Sequence, residues 1–127
     1  MKTKLFLILS LLFFAGTFVH AQKYVATIAT QDGHEYNCTT IDWDNCSYLE
    51  GKIGTTSVTI PFKKINKIVF AGKKSERYCL IKVYLKDQTN LTITLFDGFF
   101  DFKTNFGKGS VKTSDVKTVE FFISDKD

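Results

Sequence analysis

One pattern of apolar positions occurs twice in this chain, and that repetition limits the folds open to it more than any other feature. The segment Ile60–Phe70 (IPFKKINKIVF) aligns with Val111–Phe121 (VKTSDVKTVEF). Apolar residues coincide at Ile60 and Val111, Ile65 and Val116, Ile68 and Val119, and Phe70 and Phe121. Upstream, with a small change of offset, Asp32 matches Asp87, and Tyr36, Cys38 and Thr40 match Leu91, Ile93 and Leu95. Asp42 then matches Asp97. A period of this size marks a repeated supersecondary unit. Each copy reads as strand, tight turn, strand, turn, strand, Gly-containing turn, strand, one short helical turn and a final strand.

Inside the copies the periodicity is two. Cys79, Ile81, Val83 and Leu85 share one face of a strand, and Leu91, Ile93 and Leu95 another, with Thr92 and Thr94 pointing the opposite way. Such runs, bounded by Gly and Asp, are antiparallel strands. Asp32-Gly33 and Asp97-Gly98 read as hairpin turns, because glycine accepts the positive φ these turns need. No stretch keeps apolar residues at helical spacing over three turns, so the chain is all-β. A hydrophobic share of 44% and an aromatic share of 15% exclude a disordered or collagen-like chain.

The first residues have a different character. Two lysines lie in Met1–Lys4, Leu5–Ala15 is apolar apart from Ser10, and Val19-His20-Ala21 precedes Gln22. Basic start, short apolar run and compact residues form a secretory signal peptide. A bilayer span needs ~20 apolar residues, more than this run offers, and no later segment is long or apolar enough. The expected organisation is a signal peptide over residues 1–21, a first repeat over 22–71, a basic connector over 72–76 and a second repeat over 77–127. The protein is expected to be exported, to a periplasm or the exterior. Cleavage removes two of the 17 basic residues, Lys2 and Lys4, and none of the 13 acidic ones. The remaining surplus of two is not a nucleic-acid footprint.

The run Phe100–Phe122 (FDFKTNFGKGSVKTSDVKTVEFF) resembles small bacterial β-barrel modules of the SH3-like or Sm-like kind, through Thr104, Gly107, Val111, Asp115, Val116, Val119 and Phe121. The first copy keeps Gly54, Ile60, Ile65, Ile68 and Phe70 but has Lys64 where the Asp stands. The resemblance implies two tandem antiparallel β-barrel repeats of about five strands each. Units this small barely support a core alone, so they should pack together or merge into one barrel or sandwich, abutting barrels being preferred. The motif is structural and carries no functional residues, and the RNA-binding residues of Sm proteins are not recognisable.

No catalytic residue, metal ligand set or cofactor motif is recognisable in the sequence. His34 and Cys38 are four positions apart on one strand, ~13 Å at the strand rise, whereas a dyad needs contact at about 3 Å. Asp42, Asp44, Asp97 and Asp101 recur at turns, where Asp bonds its own backbone. Export makes a Cys38–Cys46 disulfide a candidate if their strands pair across a turn near Asp42; otherwise Cys38 and Cys79 are small core residues. The binding candidates are the rings of Trp43 and Phe99, expected at equivalent turns and more exposed than Phe70 and Phe121, with the basic residues Lys63, Lys64 and Lys67.

The function expected is an exported, non-enzymatic β-module that binds or scaffolds at the bacterial cell envelope, with an envelope protein or polysaccharide as partner. Self-association remains open. The alternatives are a carboxylate-dependent hydrolase and an inhibitor or accessory subunit of an envelope assembly.

Overall fold

Alternation of apolar and polar side chains sets every long strand in this protein, and their pairing is antiparallel throughout. A computed structural model describes residues 25–122. The signal peptide expected over residues 1–21 lies outside the described residues, as does Gln22. The first half contains β1 (Ala26–Thr30), β2 (Glu35–Cys38), β3 (Thr40–Trp43), β4 (Tyr48–Ile53), β5 (Thr56–Pro61), a 3₁₀ turn at Phe62–Lys64 and β6 (Ile65–Lys73). The second contains β7 (Tyr78–Leu85), β8 (Asn90–Phe96), β9 (Phe99–Thr104), β10 (Gly107–Lys112), a 3₁₀ turn at Thr113–Asp115 and β11 (Val116–Phe121). Gly72 and Lys73, expected in the connector, complete β6 opposite Leu80 and Cys79.

Eight strands form one sheet, in the order β2-β1-β11-β6-β7-β8-β4-β5, and three form another, β10-β9-β3. The predicted faces are buried: Cys79, Ile81 and Val83 on β7, Ile93 and Leu95 on β8. Ile65 and Val116, the first residues of β6 and β11, are both buried.

The expectation of SH3-like or Sm-like barrels is not met, for the sheets do not close. β5 and β10 end their sheets with one partner each, β4 and β9. Strands that would close a barrel within one copy are paired across the copies instead. β1 pairs with β11, β7 with β6, β3 with β9 and β8 with β4. At the centre Ile68 lies opposite Val119, and Thr118 opposite Val69 mirrors Lys67 opposite Glu120. Equivalent residues thus face each other across an approximate two-fold axis. The irregularities repeat as well: the register slips between Ala29 and Thr30 against β11, and between Ile65 and Lys67 against β7.

The symmetry breaks at Thr39. Cys38 and Ile41 are buried with two residues between them, whereas Ile93 and Leu95 are buried with one between. The extra residue shifts the alternation and divides what is a single strand in β8 into β2 and β3. The second sheet therefore continues the first through this join, and the Thr39 N–H donates to the Lys103 carbonyl at 2.8 Å. Two correspondences expected from sequence move accordingly: Lys52 faces Thr94 as Lys103 faces Thr40, so Thr40 matches Thr94 rather than Leu95, and Asp42 does not match Asp97.

Candidate functional site

Trp43 sits at the end of β3 and is buried, only 4% exposed. Its indole N–H donates to Thr113 Oγ1 at 3.1 Å, and that hydroxyl donates to the Gly98 carbonyl at 2.9 Å. A large ring with a satisfied donor in the interior is a packing element, so the expected exposure of Trp43 is not found. Phe99 is 46% exposed, and its place in the repeat is that of Tyr48, since Phe99 opposes Lys112 as Tyr48 opposes Pro61. The two rings do not stand at equivalent turns. Phe121 is 8% exposed and Phe70 half-buried.

Lys63 and Lys64 lie in the first 3₁₀ turn and Lys67 on β6. Lys73 ends β6, and Lys74 and Arg77 follow it; Lys67 and Lys73 are six positions apart, ~20 Å at the strand rise. Lys73 is 3.6 Å from Asp97. The basic residues therefore do not converge.

The four carboxylates expected at turns do not gather in one place. Asp97 accepts from the Ser114 N–H and hydroxyl, both at 3.0 Å, and so fixes the second 3₁₀ turn. Asp97-Gly98 is not a hairpin: it carries the chain from β8 to β9, which do not pair. Asp44 adopts a positive φ in the turn after β3. Asp42 and Asp101 do meet, directly opposite each other on β3 and β9. Among the described residues, no group of three or more His, Cys, Asp or Glu side chains gathers as metal ligands would.

All three thiols are free. Cys38 lies opposite Ala26 and Cys46 opposite Trp43, so the strand pairing that would join Cys38 to Cys46 does not form. Burial pushes the Cys38 and Cys79 thiols up to about 11, which leaves them protonated and unreactive at neutral pH.

A cleft lies where β2 approaches the β9–β10 hairpin. Tyr36 on β2, Phe102 on β9 and Phe106 in the hairpin turn form a chain of rings, with centroids 5.4 Å apart for Tyr36 and Phe102 and 6.4 Å for Tyr36 and Phe106. Gly109 stands opposite Phe102, and a Cβ there would lie 2.5 Å from the ring. Absence of that Cβ lets the ring lie across β10. The cleft has a volume of about 550 Å³, with Asp32, Lys108, Ser110 and Asp115 among its polar lining. Phe106 is 71% exposed, whereas Phe102 is buried. Hydrogen bonds from the Thr30 hydroxyl and from His34 hold the Asp32 carboxyl below its ordinary range. An anchored floor, an exposed ring and a charged rim suit a partner with apolar and polar groups.

The sequence singles out the rings of Trp43 and Phe99, not those of Tyr36, Phe102 and Phe106. A legible signal was the Gly107-Lys-Gly109 strand, because glycine within a strand marks close approach of another group. No helix of the described residues is long and apolar enough to cross a membrane. No protein-family model matches the chain, and no curated protein matches it either.

Proposed function

We propose that the chain is an exported, non-enzymatic β-module of the bacterial cell envelope that holds its partner in the Tyr36–Phe102–Phe106 cleft. The observation carrying this reading is the Phe106 ring, left largely in water above a floor of buried aromatic surface. Exposed rings at a concave surface supply large contact area with little loss of side-chain freedom on binding. Export is supported by the N-terminal sequence alone. Lys63, Lys64 and Lys67 are set aside as the binding surface because they lie on a different part of the fold.

The test is a resonance-resolved titration with two soluble probes, an extended peptide of alternating apolar and acidic residues and a chitin-type oligosaccharide. One of them should shift the ring signals of Tyr36, Phe102 and Phe106 while leaving Phe99 unmoved, and Phe106→Ser should abolish the response. Silence in the cleft with both probes overturns the reading.

A further inference from the structure

The cleft borders a strand whose outer edge is unpaired. β10 is held only by β9. The Lys103 carbonyl is turned toward β3, where it accepts the Thr39 N–H, so Lys103 and its opposite residue Lys108 form a pair without mutual backbone bonds. By the alternation of an antiparallel ladder, the N–H and C=O groups of Lys108 and Ser110 point away from β9 toward the open edge. The side chains along that edge add a second feature. Lys108 directly opposes Lys103, an unfavourable like-charge pair when nothing lies between. Among the described residues, none of Lys103, Lys108 and Lys112 is in an ion pair. The neighbouring carboxylate, Asp101, already accepts the Ser110 hydroxyl at 2.8 Å.

The equivalent edge in the other half, β5, is also open but differs in what it carries. On β5 the matching positions hold Ser57, Thr59 and Pro61, without ammonium groups and with one backbone donor removed by proline.

We propose that β10 takes up an extended acidic peptide as an added strand, its apolar side chains entering the cleft and its carboxylates facing Lys108 and Lys112. The proposal rests on the cleft reading and names its partner. Unpaired backbone groups recurring every second residue, ~6.6 Å apart, are met in register by another peptide backbone, and the open ammonium groups select its charge. Strand addition gives affinity through the main chain and specificity through alternate side chains.

The probe is a nine-residue peptide alternating valine or phenylalanine with glutamate, added to the isotopically labelled protein. Amide exchange at Lys108 and Ser110 should slow at least tenfold at saturation, with shifts of the Tyr36, Phe102 and Phe106 rings. A K108E/K112E variant should bind this peptide about tenfold more weakly and prefer the lysine-containing counterpart. Ring shifts without amide protection overturn strand addition and leave the cleft reading standing, as does a response to the oligosaccharide alone. Protection that rises with protein concentration in the absence of peptide overturns it in favour of a second copy. No response to either probe removes both readings.

Discussion

The two ends of this protein share a backbone and differ in what it carries. At one end Tyr36, opposite Ile28, leans over Phe102, and Phe102 covers Gly109. At the other end the matching positions hold Leu91, opposite Val83, and Gly51, opposite Val58. Each cross-strand pair contains one glycine, but on opposite strands of the hairpin. Where Gly51 replaces the ring, the strand closes on its neighbour: a Cβ there would lie 2.6 Å from the Thr94 carbonyl. Where Gly109 faces the ring, an aromatic floor forms beside an open edge. Positions on the axis keep their apolar character in both copies, as Ile68 and Val119 do, because they hold the sheet together. The cleft proposed as the binding site lies where the copies have diverged.

The largest test removes one end altogether. Of the first half's pairings, only β1 with β2 and β4 with β5 lie within it; β1, β3, β4 and β6 all need strands of the second half. Residues 22–71 alone should show no cooperative unfolding by circular dichroism, nor should 77–127 alone, and mixing them should restore a β-sheet spectrum. A cooperative transition in either fragment would break the account of exchanged strands.

The next comparison is between Phe121 and Phe70, which occupy matching positions. Phe121 is nearly buried and its ring centroid lies 5.0 Å from that of Phe62, while Phe70 is half-buried. Phe121→Ala should lower stability by ~3–5 kcal/mol, and Phe70→Ala by roughly 1–2 kcal/mol, in urea unfolding. Equal losses would mean that burial at the two ends is the same.

The parts legible in the sequence were those set by local pattern. Period-two alternation revealed the faces of β7 and β8, and the apolar matches placed Ile65 and Val116 at equivalent buried sites. Strand exchange was not legible, because alternation states which face is buried but not which distant strand supplies the neighbour. The burial of Trp43 was hidden for the same reason: its partner Thr113 is 70 residues away. Asp97-Gly98 carried a hairpin signal, yet the Ser114 bonds and the crossover to another sheet use it differently. The extra Thr39 was visible only as a change of offset, and its effect on the register required the ladder itself.

A smaller effect compares the two hairpin turns. Thr30 N–H to His34 C=O at 2.9 Å is repeated by Leu85 N–H to Thr89 C=O at 2.8 Å, and Gly33 and Gln88 both take positive φ. Both turn carboxyls are held below their ordinary value, Asp32 by the Thr30 hydroxyl and His34, Asp87 by the Thr89 backbone N–H and hydroxyl. A depressed folded value means that each contributes stability above about pH 3.9, the unfolded value, and loses it as pH falls through the folded one. Carboxyl-carbon titrations should give midpoints below ~3.9 for both. An ordinary value at one of them would show that the turns differ in solution. The stability change should be slight, since both groups face water.

The smallest change in stability should accompany the sharpest test of the comparison. Phe106 corresponds to Thr55, and both lie in exposed turns. Phe106→Thr removes a ring that is 71% exposed, so thermal unfolding should move by no more than ~0.5 kcal/mol equivalent. Peptide-induced shifts at Tyr36 and Phe102 should nonetheless disappear, because the roof of the cleft has gone. The reciprocal Thr55→Phe adds a ring to the β4–β5 turn, where Gly51 stands in place of the Phe102 ring and β4 lies directly on β8. It should therefore gain no peptide response at Leu91 or Gly51. A response there would mean that one exposed ring suffices, and that the Phe102–Gly109 arrangement is not what distinguishes the two ends.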